Sequence, residues 1–212
     1  MLKVRFNILS KMDEIIIVAP RKDTFQDETL TFQGVERNPQ KTKAIVSNIA
    51  ATYSVMRRGD AEENTEFKQP IPYCVIKRGN ELFTYKRLKG GGETRLHEQI
   101  SLGVGGHLND VEGEDFYGVL TDGLQRELEE ELFINKDKLT LTTIGLINDD
   151  ENDVGKVHVG MLVIGELPVG EEVSVRETDQ LLGEWLKIED LKQKEVYERL
   201  ETWSQFVVDI LE

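Results

Sequence analysis

Three glutamates in one short segment have the spacing of metal ligands on a helix. The segment reads Arg126-Glu127-Leu128-Glu129-Glu130-Glu131-Leu132. If it is helical, Glu127, Glu130 and Glu131 stand at positions i, i+3 and i+4, which share one side of a helix. Like charges so placed repel by about 0.2–0.5 kcal/mol per pair. A hard divalent cation with oxygen ligands would offset this repulsion, so the spacing predicts a metal site.

A leucine stripe gives this helix a side to bury. Leu124, Leu128 and Leu132 align on a helical wheel, and the three carboxylates occupy an adjoining arc. The helix can therefore bury its leucines while it presents the carboxylates at the edge of a cleft. Glu129 points elsewhere, towards solvent. Arg126 lies beside the arc and could hold a carboxylate in place.

Together with Gly105-Gly106, this segment resembles the Nudix (MutT-like) hydrolase family, whose pattern is G-x5-E-x7-R-E-U-x-E-E-x-G-U, where U is a bulky aliphatic residue. Residues 126–134 match the second half, except that Phe133 replaces a glycine, and residues 106–112 match the first half. Residues 113–125 number thirteen where the family has seven, which implies six extra residues within the loop.

The resemblance implies an α/β (α+β) fold, a Nudix-like α/β/α sandwich with a mixed sheet between helices. It also implies hydrolysis of a diphosphate linkage in a nucleoside diphosphate linked to another moiety. By this resemblance Glu130 and Glu131 would bind Mg²⁺ or Mn²⁺, and Glu127 would bind a metal or orient the attacking water. Arg126 would position the carboxylates, and the Gly105 carbonyl would be a further ligand.

Two acidic roles of the family remain open in this sequence. Counted forward from Gly106, the first glutamate of the box falls on Glu112; counted back from Arg126, it falls on Gly118, which cannot serve. Glu114 and Asp115 are rivals for this metal-binding role. The family often adds an acid from a distant loop as base or ligand. Glu177 is the catalytic candidate, with Asp149, Asp150 and Glu151 as alternatives.

The chemistry of the substrate agrees with these roles. A diphosphate carries negative charge that resists attack by water. Divalent metals neutralise that charge, orient the phosphates and lower the pKa of bound water. Mg²⁺ suits a site with few carboxylates, because it keeps several waters and uses the oxygens of the substrate.

Composition limits the classes of partner. The chain has 212 residues and a net charge of −14, which argues against broad binding to nucleic acid or to an anionic membrane. A small basic pocket for one phosphorylated ligand is compatible with this charge, and the small-molecule diphosphate substrate is what the family resemblance implies. Cys74 is the one cysteine, so an intrachain disulfide is impossible. Residues 1–20 do not read as a secretory signal, and no stretch has the length of a membrane span. A cytoplasmic protein is expected.

The hydrophobic patterns divide the chain in two. Residues 1–69 form an N-terminal extension with a strand at 14–19 and a helix from about 38 to 58; it would complete the sheet or mediate a homodimer. Residues 70–212 form the Nudix-like domain. Its predicted elements are a hairpin at 72–86, strands at 100–104, 139–147 and 157–167, the acidic helix from about 121 to 133, and a long helix at 188–211.

Several residues allow a structural interpretation beside a functional one. His107 follows the glycine pair and would face the substrate or bond to backbone, and His158 begins an apolar strand and would be structural. Cys74 reads as an inert core thiol. Phe133 would end the acidic helix by packing on the core. The first rival function is a non-catalytic ligand-binding or regulatory module. The second is an isomerase of an isoprenoid diphosphate, a branch of the same family. The residues that this branch uses around its cysteine are not found around Cys74.

Overall fold

The computed structural model describes residues 11–87, 99–176, 178 and 181–211. The strands found in these residues are β1 (Ile15–Pro20), β2 (Gly34–Glu36), β3 (Ser54–Arg57), β4 (Phe67–Arg78), β5 (Glu81–Arg87), β6 (Ile100–Ser101), β7 (Gly103–Val104), β8 (Leu132–Phe133), β9 (Thr140–Asn148), β10 (His158–Glu166), β11 (Ser174–Val175) and β12 (Leu181–Lys187). The helices are α1 (Arg21–Thr24), α2 (Pro39–Thr52), α3 (Arg58–Ala61), α4 (Phe116–Glu131), α5 (Asp153–Val157), α6 (Ile188–Leu191), α7 (Lys194–Tyr197) and α8 (Thr202–Ile210).

Most of the strands join one sheet, in the order β12-β5-β4-β10-β9-β2. β1 pairs with β3 and β4, β6 pairs with β5, and β7 pairs with β4. β8 and β11 form a separate antiparallel pair. This is the α/β fold that the family resemblance predicts.

The β4–β5 hairpin confirms the turn predicted at Arg78-Gly79-Asn80. Lys77 pairs with Leu82 and Arg78 pairs with Glu81, which leaves Gly79 and Asn80 as a two-residue loop. Gly79 has φ +55°, a conformation that a side chain would disfavour. A glycine at the first loop position lets the turn follow the right-handed twist of the strands.

The chain divides into two compact units. The first contains residues up to Pro72, Gly106–Gly123 and Gly145–Met161. Its core is a cluster of buried apolar side chains from β1, α2, the residues after the glycine pair, α4, β9 and β10: Ile17, Ala19, Phe25, Ile45, Ile49, Leu108, Phe116, Val119, Leu146, Val159 and Met161.

The second unit contains Tyr73–Gly105, Leu124–Ile144 and the residues from Leu162 onward. Leu124, Leu128 and Leu132 are all buried there, as the leucine stripe predicts. They pack in a cluster with Cys74, Ile76, Phe83, Val104, Val163, Leu167, Val173 and Val175.

Two predicted helices are wrong in extent. The helix predicted from about 38 to 58 ends at Thr52, because residues 54–57 form β3 and pair with β1. The helix predicted at 188–211 is three short helices. Its last break falls where Ile100 donates its N–H to Arg199 and accepts one from Glu201. In both places a strand-like pairing with a distant residue overrides the local helical pattern.

Candidate active site

The acidic helix α4 begins at Phe116, about five residues earlier than the sequence pattern predicts. Asp115 caps it, because its Oδ1 accepts the Gly118 N–H at 2.9 Å. Residues 116–125 are therefore helical. Most of the thirteen residues between Glu112 and Arg126 therefore belong to α4, and the place of the six extra residues stays a prediction.

Arg126 connects two of the predicted site carboxylates on α4. Its Nη1 lies 2.9 Å from Oε1 of Glu127 and 3.5 Å from Oε2 of Glu130. Glu127 is only 8% exposed, whereas the Glu130 side chain is 60% exposed. A buried carboxylate with a fixed cation beside it is held in one orientation, and the exposed carboxylate keeps the freedom to reach a metal ion.

Glu131 acts electrostatically on Tyr85, a partly buried tyrosine that the sequence pattern does not reveal. Burial raises the pKa of Tyr85, and the carboxylates of Glu131 and Glu201 raise it further. The Tyr85 hydroxyl donates to the Gly103 carbonyl at 2.6 Å, two residues before Gly105. Tyr85 therefore joins the acidic end of α4 to the strand that leads into the glycine pair.

A second buried phenol lies in the same unit. Tyr73 and Ser204 are hydrogen-bonded through their hydroxyls at 3.0 Å, and the Ser204 hydroxyl also accepts the Leu102 N–H. Burial raises the pKa of Tyr73, and the charge of Glu201 adds to the shift. The sequence patterns do not single out Tyr73, Tyr85 or Glu201. The only available signal was the placement of two tyrosines on opposite strands of a predicted hairpin.

Phe133 does not pack on the core, contrary to the prediction. Its side chain is 53% exposed, whereas Leu132, the other residue of β8, is buried. The Arg176 guanidinium covers its ring at 4.1 Å from the centroid, and Arg176 Nε donates to the Leu132 carbonyl. The aromatic residue that replaces the family glycine therefore stacks with an arginine just beyond α4.

Among the described residues, none of the remaining predicted acids forms a cluster of carboxylates with the glutamates of α4. Glu112, Glu114 and Asp115 are exposed, in the turn that precedes α4. Glu177 lies outside the described residues. In the described part of the chain, no three acids of α4 bring ligand atoms within 4.8 Å of one another. The roles of Glu112 and Glu177 stay predictions.

Asp150, one of the predicted alternatives for the distal acid, is the centre of an ion-pair network. Its carboxylate accepts hydrogen bonds from Arg21 at 2.7 and 2.9 Å, from Lys68 at 3.0 Å and from Asn148 at 2.9 Å. Burial would raise the pKa of Asp150, but these donors outweigh burial and hold the pKa well below its usual range. Burial lowers the pKa of Lys68 to about 8. These contacts give Asp150 a structural role.

The same network fastens an unusual turn after α1. Gln26, Asp27 and Glu28 have φ values of 48°, 52° and 67°, in the left-handed region that residues other than glycine rarely adopt. Arg21 donates to both carboxylate oxygens of Glu28, at 2.9 and 2.8 Å. Arg21 thus binds Glu28 and Asp150 at once.

The neighbouring alternative, Asp149, is completely buried. It accepts hydrogen bonds from Gln33 Nε2, from Asn152 Nδ2 and from the Glu151 N–H. These partners are all supplied by side chains and backbone of its own unit, so Asp149 also has a structural role. Glu151 is exposed.

The two described histidines lie side by side. Their Nε2 atoms are 3.3 Å apart, and His107 Nε2 also lies 2.7 Å from Oε1 of Gln69 and 3.4 Å from Oε1 of Glu62. Burial lowers the pKa of His158 to about 4, so its ring is neutral near pH 7. The prediction that His158 begins a strand is confirmed, since β10 starts at this residue.

The fold has clear relatives among solved structures. Tm1382, assigned as a Nudix hydrolase, superposes with a TM-score of 0.76 at 28% sequence identity, over 93% of this chain and 97% of that one. DR0079 from Deinococcus radiodurans superposes with a TM-score of 0.50 at 15% identity, over 74% and 90% of the two chains, and shares the fold alone. No protein-family model matches the sequence. None of the described helices is long and apolar enough to cross a membrane.

The fold, the Arg126-to-Glu131 segment and the likeness to Tm1382 define the class: the chain has the fold of the Nudix hydrolases. Among its relatives is Protein YmaB of Bacillus subtilis (strain 168), which is 58% identical over 206 residues, or 96% of this chain and the whole of that protein.

Proposed function

We propose that this protein is a metal-dependent pyrophosphohydrolase that cleaves a diphosphate linkage in a nucleoside diphosphate joined to another moiety, or in a similar small molecule. The observation that carries the proposal is the arrangement on α4. Arg126 bonds the buried Glu127 and approaches the exposed Glu130, within a chain that is 28% identical to a Nudix protein over nearly its whole length.

The donor chemistry of α4 fits a hard divalent cation. Glu127, Glu130 and Glu131 offer only carboxylate oxygens, which are the ligands that Mg²⁺ and Mn²⁺ prefer. Glu130 is exposed and can turn towards an ion. We assign Glu130 and Glu131, with the Gly105 carbonyl, as the groups that would hold the metal. When bound, the metal would neutralise charge on the diphosphate and acidify a bound water.

The other residues position these groups. Arg126 orients Glu127, so that Glu127 can bind metal or accept a proton from the attacking water. Tyr85, by its bond to the Gly103 carbonyl, fixes the strand before the glycine pair. We retain Glu177 as the distal base for hydrolysis.

A substrate panel tests the proposal. Cleavage of nucleotide sugars, dinucleotides and nucleoside triphosphates is measured by chromatographic separation of the nucleoside monophosphate product, with Mg²⁺, with Mn²⁺ and with chelator. We expect metal-dependent turnover of at least one substrate, reduced at least about 100-fold in Glu130→Gln and Glu131→Gln, because even partners of metal ligands are worth about 10–100-fold.

Glu129→Gln is the matched control. Glu129 lies on the same helix, but its exposed carboxylate is paired with Lys136. It should retain full turnover. If no substrate is hydrolysed while a nucleotide still binds, the protein is the non-catalytic ligand-binding module of the alternative hypothesis.

The location and the class of partner complete the proposal. We infer a cytoplasmic enzyme that acts on a small molecule. Its net charge of −14 opposes binding to nucleic acid or to anionic lipid. The homodimer predicted through residues 1–69 is tested by sedimentation of the full chain at several concentrations. A mass of 24.2 kDa at every concentration would exclude the dimer.

A further inference from the structure

A second group of ligand-type side chains lies within the first unit, and the proposed reaction does not use it. Glu62 follows α3, His107 follows the glycine pair, and His158 begins β10. One ligand atom from each residue lies within 4.8 Å of the others. His107 Nε2 is 3.3 Å from His158 Nε2 and 3.4 Å from Oε1 of Glu62. Three residues far apart in sequence therefore converge on one point.

Around His107 Nε2 the hydrogen-bond acceptors outnumber the donors. His158 Nδ1 lies 2.7 Å from the Val154 carbonyl, a bond that places the ring proton on Nδ1. In a neutral ring, Nε2 of His158 then carries a lone pair. His107 Nε2 has at most one N–H, yet it faces Oε1 of Gln69 at 2.7 Å, the Glu62 carboxylate and the His158 lone pair. One donor cannot satisfy three acceptors.

Gln69 adds an independent sign that a partner belongs here. It is 1% exposed, and its Nε2 atom has no hydrogen-bond partner among the described residues. A buried amide nitrogen without a partner destabilises the folded protein, because it has lost its hydrogen bonds to water. Its Oε1 atom faces the same His107 nitrogen. A deeply buried amide whose oxygen faces His107 and whose nitrogen has no partner among the described residues is expected beside a site that takes up a further polar group.

We propose that Glu62, His107 and His158 bind a divalent transition-metal ion, with zinc as the representative ion. Two imidazole nitrogens and one carboxylate oxygen are a donor set that Zn²⁺ uses with a fourth position left to water. A tetrahedron with metal–ligand distances of about 2.0–2.1 Å has edges of about 3.3 Å. The two measured edges from His107 Nε2, 3.3 and 3.4 Å, have this length.

The surroundings support such a site. The Val154 carbonyl bonds the far nitrogen of His158, the outer contact by which proteins commonly orient a metal-bound histidine. Gln69 Oε1 lies 2.7 Å from His107 Nε2, which is shorter than the edge of such a tetrahedron, so Gln69 is not counted among the ligands. Glu62 is one-quarter exposed, which leaves a route for the ion.

The three ligands stand on fixed backbone. The Ile17 N–H donates to the Leu108 carbonyl at 2.8 Å, next to His107. Gly155, in the turn before His158, approaches the Asp149 carbonyl so closely that a Cβ would lie 2.0 Å from it. Arg58 and Lys68 are the nearby cations. Arg58 approaches Glu62 at 3.4 Å, and Lys68 is engaged by Asp150 and by the Gly155 and His158 carbonyls.

Metal content is the direct test. The full-length chain is stripped with chelator, dialysed with Zn²⁺, then dialysed against metal-free buffer and analysed by elemental mass spectrometry. We expect about one zinc per chain. Glu62→Gln and His107→Gln should weaken zinc binding at least about 100-fold in calorimetric titration. Zinc should raise the melting temperature of the unaltered protein and not that of these variants.

Two controls separate this site from the acidic helix and from surface binding. Glu63→Gln makes the same change one residue further on, at an exposed position, and should bind zinc normally. Glu130→Gln should also bind it normally, whatever its effect on hydrolysis. Failure of the unaltered protein to retain zinc, or retention by both Glu62→Gln and His107→Gln, would overturn the proposal. Glu62 is partly exposed and its replacement is isosteric, so this variant tests the site even if a histidine variant misfolds.

Discussion

Arg126 Nη1 lies 2.9 Å from the carboxylate of Glu127, its neighbour on α4. The same nitrogen reaches Glu130 at 3.5 Å, one helical turn further on. Adjacent residues on a helix point in different directions, so an arginine must bend back over the helix to touch both. The relationship makes Arg126 a positioning residue for two carboxylates of different burial.

Replacement of Arg126 by alanine should lower kcat about 10–100-fold and weaken the apparent affinity for Mg²⁺, because the carboxylates lose their orienting cation. Arg126→Lys should recover part of this loss, since an ammonium keeps the charge but contacts fewer oxygens. The measurement is steady-state hydrolysis as a function of Mg²⁺ concentration. Superimposable metal titrations for Arg126→Ala and the unaltered enzyme would contradict the positioning role.

Asp150 should make the folded protein sensitive to acid. Its pKa is depressed in the folded state, so its stabilisation is present above the unfolded value of 3.8 and is lost as pH falls through the folded pKa. Asp150→Asn should lower the free energy of unfolding by about 2–3 kcal/mol at neutral pH, because it removes a charged acceptor of several hydrogen bonds.

The stability difference between Asp150→Asn and the unaltered protein should shrink as the pH falls below 3.8. Urea denaturation at a series of pH values measures this difference. Asp137→Asn, at an exposed aspartate, is the control and should leave stability nearly unchanged. Parallel curves for Asp150→Asn and the unaltered protein at every pH would show that the carboxylate is not stabilised by its partners.

Two glycines in α4 should respond oppositely to alanine. At Gly118 an added Cβ meets chiefly the flexible, exposed end of Glu114, so the gain in helix propensity should stabilise the protein by up to about 1 kcal/mol. At Gly123 the Cβ would lie 2.2 Å from Leu108 Cδ2 in the core, and overpacking should destabilise by about 1–3 kcal/mol. Thermal unfolding compares the two variants. Equal shifts of the same sign would refute this packing.

Cys74 should be inert in the native protein. It is fully buried, and burial raises the pKa of its thiol to about 12, so almost no thiolate forms at neutral pH. Iodoacetamide should label it only after denaturant is added, as followed by mass spectrometry. Rapid labelling of the folded chain would show that this part of the core opens readily.

Local patterns predicted the elements whose stability is local. The leucine stripe of α4 and the glycine-containing turn between β4 and β5 agree with the structure because side-chain period and turn geometry act over a few residues. The start of α4 was missed because Gly118 and Gly123 weaken a helical pattern and conceal the first turns. Asp115, a good capping residue, was the available signal.

Contacts between residues far apart in the chain cannot be predicted from local sequence patterns. Nothing in the local sequence shows that Ile100 pairs with the backbone beside Leu200, which breaks the predicted C-terminal helix. The meeting of Glu62, His107 and His158 likewise depends on the fold, since no periodicity links residues so far apart. The family resemblance supplied the fold, but it assigned roles only to residues within its own pattern.

The left-handed turn at residues 26–28 has a consequence for how the first unit opens. The left-handed conformation is disfavoured by about 1–2 kcal/mol for each of these residues, so we expect the turn to depend on the hydrogen bonds between Arg21 and Glu28. The same guanidinium is hydrogen-bonded to Asp150. Loss of one of these two carboxylates should therefore weaken the binding of the other. The backbone amides of residues 25–30 and 149–152 should show similar protection against exchange with solvent deuterium, because they open as one cooperative unit.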